Sequence, residues 1–102
     1  MSQVLDAAGV TEGLAGLDGW TGDPRAIRRQ VELRSFPAAI AVVDRVAEVA
    51  EELDHHPDID IRWRTLTFAC ATHSAGGVTA KDLGLAARID EIVRDATPRD
   101  MA

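Results

Sequence analysis

All three histidines of this chain lie within nineteen residues, as the consecutive pair His55-His56 and then His73. Histidine is the side chain whose unperturbed pKa, about 6.5, lies close to neutral pH, so clustered imidazoles suit proton transfer to and from a substrate. His55 and His56 are expected to point in different directions because they are consecutive. His73 comes from a separate segment and can face one of them across a pocket. This segment is therefore the candidate site for general acid-base chemistry.

The histidines belong to a longer ordered pattern: an acidic residue, a His-His-Pro triplet, an aromatic residue, a further histidine, and an aspartate after a glycine-rich loop. Its members are Glu51, His55, His56, Pro57, Trp63, His73 and Asp82. The pattern resembles the signature of the pterin-4a-carbinolamine dehydratases, and Gly19-Trp20 upstream extends the resemblance over most of the chain. A pattern with this many fixed spacings is far more specific than a lone histidine pair.

The resemblance implies a lyase that removes water from 4a-hydroxytetrahydropterin, gives the quinonoid dihydropterin and supports an aromatic amino acid hydroxylase. It implies that His55 and His73 are the acid and the base, in an order that the sequence leaves open, and that His56 mainly binds the substrate. No metal or organic cofactor is expected. A non-catalytic protein that keeps the fold and a pterin-like pocket, and acts as an assembly or regulatory partner, is the alternative hypothesis.

Five further residues are assigned to substrate binding or orientation through the resemblance. Asp82 and Glu51 would orient an imidazole through their carboxylates. Asp54 and Pro57 would shape the loop, and Trp20 would lie at the rim of the pocket.

Simpler roles remain open for several of these residues. Asp82 stands three positions after Thr79, which is the spacing of a helix capping box, and one carboxylate can serve both purposes. Glu51 is interpreted as a solvated surface residue in preference to a functional one. Trp63 is expected to pack in the core of the sheet. At the position before Asp82 the family often has arginine, and Lys81 keeps the charge there without the planar guanidinium.

Composition and charge exclude several classes of protein. The net charge of −6 disfavours binding to nucleic acid, because phosphate binding depends on clustered Lys and Arg, and Arg25, Arg28 and Arg29 alternate with apolar residues as on the solvent face of a strand.

A metal site is also disfavoured, since consecutive histidines rarely converge on one ion. Cys70 is interpreted as a small core residue. We expect neither a membrane span nor a secretion signal from this sequence, and we expect a cytoplasmic protein.

Hydrophobic periodicity predicts seven elements in the order α-β-β-α-β-β-α. A weak helix over residues 6–17 is followed by a hairpin over residues 20–34, in which Ile27, Val31 and Leu33 are the apolar positions. A helix capped by Ser35 leads to the histidine pair, and two strands joined by a tight turn lead to a final helix. The final helix has its core face at Leu85, Ala86, Ile89, Ile92, Val93 and Ala96. The predicted fold is a single α+β domain over residues 1–102, with a four-stranded antiparallel sheet and three helices on one face.

The helix after Ser35 carries two apolar stripes, which is more than one core requires. The stripe expected to face the core consists of Phe36, Ala39, Ile40, Val43, Ala47, Ala50 and Leu53. The adjacent stripe of Val42, Val46 and Val49 would then either form an oligomer contact or lie buried as well. A homodimer or homotetramer is the expected assembly.

Overall fold

The computed structural model describes the backbone of residues 3–100 and the side chains of residues 3–96. These residues form helices α1 (Ala7–Leu14), α2 (Phe36–Leu53) and α3 (Ala80–Asp100), and strands β1 (Trp20–Asp23), β2 (Ala26–Glu32), β3 (Asp58–Arg62) and β4 (Thr65–Cys70). Neighbouring strands are antiparallel throughout, in the spatial order β1-β2-β4-β3. The predicted α+β class and element order are confirmed.

The hydrophobic core lies between one face of the sheet and the three helices. Alternate residues of β2 and β4 are buried, among them Ile27, Leu66 and Phe68, which is the period-2 pattern of a strand with one covered face. The helices contribute core residues such as Val10 from α1 and Val46 from α2, and all six predicted core positions of α3 are buried. No helix in the described part of the chain is long and apolar enough to cross a membrane.

Helix α2 begins and ends at residues that position the histidine pair. The Ser35 hydroxyl accepts a hydrogen bond from the Ala38 backbone N–H at 3.1 Å, which confirms the predicted cap. At the other end Asp54 has a left-handed backbone with φ of 50°, a conformation that Asp tolerates better than most residues. The helix therefore ends at Leu53, two residues before His55, and the chain turns there towards β3.

The assignment of the core face of α2 was wrong in part. Ala39 and Ala50 are buried as predicted, but Val42 and Val46 complete the buried stripe, whereas Phe36 and Leu53 are exposed. Both stripes repeat every three to four residues, so periodicity cannot decide between them. Small Ala and Val side chains allow α2 to pack closely on its neighbours, and the bulkier residues lie on the outer side of the helix.

The connection between β3 and β4 is the predicted tight turn, but the predicted core packing of Trp63 was wrong. Trp63 is 71% exposed and has a φ of 56°. Its ring lies 5.0 Å from the Arg64 guanidinium carbon, a cation-π contact at the surface. Ile59 and Ile61 share the parity of Trp63, but the strand ends at Arg62, and the turn directs the indole away from the core.

Arg29 was predicted on the solvent face of its strand, and this was also wrong. Arg29 pairs with Trp20 across β1 and β2, on the side of the sheet that the helices cover. Asp90 of α3 binds both residues, accepting from Trp20 Nε1 at 2.6 Å and from Arg29 Nη1 at 2.5 Å. The buried carboxylate neutralises the arginine, so this position tolerates a charge inside the fold.

Candidate active site

All three histidines line one cavity, which we call the histidine cavity. Its volume is about 370 Å³, and the residues that line it are Asp54, His55, His56, Ala71, Thr72, His73, Ser74 and Lys81. Small-molecule sites in proteins have volumes of roughly 300 to 1,000 Å³, so the cavity is large enough for a small ligand. The segment after α2 and the segment after β4 meet here, as the sequence predicted.

His55 is held by a buried carboxylate. Its Nε2 lies 2.6 Å from Asp82 Oδ1, and the two side chains are 12% and 0% exposed. A carboxylate has no hydrogen to donate, so Nε2 carries the hydrogen of this bond. In the neutral imidazole the lone pair is then on Nδ1. Asp82 therefore selects the tautomer of His55 and stabilises positive charge on its ring.

Asp82 belongs to a buried network in which the donor and the acceptor of each hydrogen bond can be assigned. Its Oδ2 accepts from the Thr72 hydroxyl at 2.8 Å and from the Thr79 backbone N–H at 2.9 Å. Because the Thr72 hydrogen is used in this way, the Thr79 hydroxyl donates to Thr72 Oγ1 at 2.8 Å and itself accepts from the Lys81 backbone N–H. Asp82 thus caps α3 and orients His55 at once, as the capping-box spacing allowed.

His56 forms a second histidine-carboxylate pair at the protein surface. Its Nε2 lies 2.5 Å from Glu51 Oε2, and the two side chains are 55% and 78% exposed. Glu51 is solvated, as the sequence suggested, but it also contacts an imidazole. Solvent screens this pair, so its contribution to stability is small.

His73 is positioned by a tight turn that begins at Thr72. The Thr72 and Gly77 backbones pair, and Gly76 has a φ of 83°, a conformation that favours glycine. A Cβ on Gly77 would lie 2.6 Å from the Pro24 carbonyl oxygen, so this glycine allows the turn to pack on the hairpin of β1 and β2. Within residues 3–96 the exposed His73 ring has no hydrogen-bond partner, which leaves both nitrogens free for a ligand.

A second cavity adjoins the first, and we call it the arginine cavity. Its volume is about 300 Å³, and it shares His56, Ala71, Thr72 and His73 with the histidine cavity. Its other walls come from the uncovered face of the sheet and include Arg28 of β2 and Asp58 of β3. The two cavities therefore share a boundary that includes His56 and His73, and we call the two cavities together the cleft.

Of the remaining predicted site residues, one lines a cavity and two do not. Asp54 lines the histidine cavity. Pro57 lines neither cavity, and its effect is on the backbone, because the residue before a proline is restricted to extended conformations. Trp20 also lines neither cavity: the structure places its indole against α3, bonded to Asp90, and does not bring it to the cleft.

Among the residues that sequence reasoning missed in the cleft are Thr72, Arg28 and Asp58. A signal for Thr72 was present, because it continues the buried parity of β4 two positions after Cys70, and a buried hydroxyl requires a partner. Arg28 and Asp58 come together only through the pairing of their strands with β4.

Cys70 is buried as predicted and is unsuited to covalent catalysis. Burial, together with the nearby charges of Asp82 and Asp58, raises the pKa of its thiol to about 12. The thiolate is the nucleophilic form of cysteine, and it is scarce at neutral pH with such a pKa. Within the described part of the chain, no three His, Cys, Asp or Glu side chains are grouped as metal ligands would be.

Comparison with known families identifies the class of protein. The family model described as pterin 4 alpha carbinolamine dehydratase matches residues 3–92. The chain belongs to this family, and the resemblance inferred from the histidine pattern is confirmed.

Individual relatives agree with this assignment. The chain is 54% identical to a protein of Nocardia farcinica over 91% of its own length and 98% of the relative, and 53% identical to a protein of Roseiflexus castenholzii over 91% and 100%. Both relatives are provisionally named pterin-4-alpha-carbinolamine dehydratases. A solved transcriptional coactivator/pterin dehydratase from Brucella melitensis has a TM-score of 0.83 at 33% identity, covering 86% of this chain and 96% of that one.

A more distant structure shares the fold alone. It is a pterin dehydratase-like protein described as a RuBisCO assembly factor in the alpha-carboxysome, with a TM-score of 0.59 at 22% identity over 72% of this chain and 84% of that one.

Proposed function

We propose that this protein dehydrates 4a-hydroxytetrahydropterin to the quinonoid dihydropterin by histidine acid-base catalysis, in support of an aromatic amino acid hydroxylase. The observation that carries the proposal is that three imidazoles from two chain segments line one cavity, and that one of them is fixed by the buried carboxylate of Asp82. Membership of the family supports the same reaction.

The reaction requires two proton transfers at neighbouring atoms of the substrate. A proton is delivered to the hydroxyl on C4a, the C4a–O bond breaks, and water leaves with the bonding electrons. The hydrogen on the adjacent N5 is removed as a proton, and its electron pair forms the C4a=N5 double bond. Two imidazoles on opposite sides of this pair of atoms can carry out both transfers, each contributing roughly 10² to 10⁴ in rate.

The contacts of the three histidines support a different role for each: base, acid and substrate binding. His55 is the base at N5, because Nδ1 holds the lone pair and the Asp82 carboxylate stabilises the imidazolium that forms. His73 is the acid at the hydroxyl, because its ring is exposed and can be reprotonated from solvent. His56, which lines both cavities, binds the substrate. Asp54 completes the wall of the histidine cavity, and Lys81 adds a positive charge there.

Ultraviolet absorbance of freshly generated 4a-hydroxytetrahydropterin, mixed with the purified protein, tests the proposal. We expect dehydration well above the rate in buffer. We expect His55→Ala and His73→Ala to reduce kcat by about 10² to 10⁴ each. His73 makes no side-chain hydrogen bond among the described residues, so His73→Ala should keep the thermal stability of the parent protein.

Trp63→Ala is the matched control, because this exposed side chain lies at the turn between β3 and β4 and lines neither cavity. It should leave the dehydration rate unchanged. A folded protein that gives no acceleration over buffer would refute the enzyme. A His73→Ala variant as fast as the parent would refute the assigned role of His73 even where activity exists.

The alternative is a binding or assembly protein that keeps the fold without the reaction. Its structural support is the likeness to the RuBisCO assembly factor, and at 22% identity that likeness concerns the fold only. All three histidines are retained in this chain, which favours the enzyme. The absorbance assay separates the two functions directly.

We further propose that the protein is a cytoplasmic homo-oligomer that uses the outer stripe of α2. Phe36 and Leu53 are exposed on this helix, and Ile40 and Val43 are half-buried between them. An apolar stripe of this length is typical of a surface that packs against a second helix. Light scattering after size exclusion should give a dimer or tetramer, and Phe36→Glu should shift it towards the monomer.

A further inference from the structure

The arginine cavity has one arginine at its wall that is not paired with a carboxylate in the described part of the protein. Arg28 lines the arginine cavity and forms no hydrogen bond or ion pair with any residue in the described range 3–96. The other arginine of that cavity, Arg25, is ion-paired with Asp23 at 3.3 Å and is largely exposed. In a chain with a net charge of −6, a guanidinium that no described side chain binds is available to an anionic ligand, and Asp58 is the acidic side chain in the same cavity lining.

The register of the sheet places Arg28 across the floor of the arginine cavity from Asp58. Arg28 of β2 and Asp58 of β3 both pair with Ala69 of β4, one on each side. They are therefore two strand spacings apart, roughly 10 Å between their Cα atoms. Only the methyl group of Ala69 lies between them, so the floor of the cavity is open and a ligand group can lie across it.

Substrate chemistry connects this space to the histidines. In a tetrahydropterin the reacting N5 is bonded to C6, which carries the variable substituent of the ring. If the reacting atoms lie among the histidines, the C6 substituent begins next to His56 and His73, the two histidines that line both cavities. The arginine cavity is then the space into which that substituent extends.

We propose that the arginine cavity binds the C6 substituent of the pterin and that Arg28 selects substituents bearing an anion, either a carboxylate or a phosphate. This inference rests on the proposed function, because it places the ring in the histidine cavity. A guanidinium binds both anions through paired N–H donors. Asp58 on the opposite flank repels an anion, which confines the anionic group to the Arg28 side of the floor.

Fluorescence titration with stable oxidised pterins tests the inference without requiring turnover. The probes are 6-methylpterin and biopterin as neutral ligands, and 6-carboxypterin and 6-hydroxymethylpterin phosphate as anionic ones. A charge-assisted hydrogen bond predicts that at least one anionic pterin binds about tenfold more tightly than 6-methylpterin. The more tightly bound of the two identifies the anion as carboxylate or phosphate.

Arg28→Gln should bring the ratio of the anionic to the neutral Kd to about one, and Arg28→Lys should retain part of the preference. Arg62→Gln is the matched control, because it removes an exposed arginine from the same face of the sheet but outside the cavity. It should keep the ratio of the parent protein. Raising the salt concentration should also reduce the ratio, since exposed charges are screened.

The outcomes separate this inference from the proposed function. If neutral pterins bind and are dehydrated but neither anionic pterin binds more tightly, the selection by Arg28 is wrong and the dehydratase stands. A preference that survives in Arg28→Gln also overturns the inference. If no pterin binds and no dehydration occurs, the proposed function itself fails.

Discussion

Two histidine-carboxylate pairs stand at consecutive positions of this chain and differ mainly in burial. His55 with Asp82 and His56 with Glu51 have nearly the same separation, 2.6 Å and 2.5 Å. Asp82 is fully buried and has two further hydrogen-bond donors, whereas Glu51 is 78% exposed. The same two chemical groups therefore form a rigid pair inside the fold and a solvent-screened pair at the surface.

The difference shows that burial, more than the distance between the two groups, decides what a carboxylate can do for an imidazole. In the interior the alternative to the hydrogen bond is an unpaired polar group, so the tautomer and the ring orientation of His55 are fixed. At the surface water can replace either partner of His56. His56 is therefore free to adjust to a ligand, and His55 is not.

The largest effect is expected from Asp82→Ala, which removes the acceptor of three donors. His55, Thr72 and the Thr79 backbone N–H would all lose their partner, so we expect the free energy of unfolding to fall by about 3 kcal/mol or more. Dehydration should fall by at least about 10², because the tautomer of His55 is no longer fixed. Chemical denaturation and the absorbance assay measure the two effects.

Asp82→Asn separates folding from chemistry, since the amide keeps the shape of the side chain. It should retain most of the stability and still lose most of the activity. Parental activity in a folded Asp82→Asn protein would break the comparison, because the buried carboxylate would then have no orienting role.

An intermediate effect is expected from Thr72→Val, which keeps the volume of the side chain and removes its hydroxyl. Asp82 would lose one donor and the Thr79 hydroxyl would lose its acceptor, so the free energy of unfolding should fall by about 1 to 3 kcal/mol. The control is Thr67→Val on the uncovered face of β4, where a change within about 0.5 kcal/mol is expected. Equal effects at the two sites in urea titrations would show that the buried network has no special strength.

The smallest effect is expected from Glu51→Gln in the exposed pair. The stability should change by less than about 1 kcal/mol, because an exposed ion pair contributes little. The dehydration rate should change by no more than a few-fold at neutral pH. A loss as large as that of Asp82→Asn in the absorbance assay would give Glu51 a catalytic role that its exposure does not predict.

The sequence predicted those elements that are determined by residues close together in the chain. The caps at Ser35 and Thr79, the core face of α3 and the hairpin before α2 each depend on residues within one or two turns of chain, and all are confirmed. The buried face of α2 could not be predicted, because two stripes of similar apolarity compete and tertiary packing selects one. The exposed position of Trp63 depends on where β3 ends, which alternation alone does not specify.

The candidate site was predicted unevenly for a similar reason. The three histidines and Asp82 are recognisable because the family pattern fixes their order, and the structure brings them together at one cavity or behind it. Arg28 and Asp58 are thirty positions apart and meet only through their common neighbour Ala69. Trp20 was placed by resemblance, and its partner Asp90 lies seventy residues away on another element.

Gly77 packs against the Pro24 carbonyl, so the position of the turn that carries His73 depends on the length of the β1–β2 hairpin. The turn that carries His73 rests on the β1–β2 hairpin, and Val78 donates its backbone N–H to the same carbonyl at 2.8 Å. Lengthening the hairpin at Pro24 would therefore displace the imidazole of His73, which is remote in the chain. Among the described residues, no hydrogen bond joins the turn at Trp63 to the histidine segments, so extra residues, a tag or a fused peptide can be accommodated there.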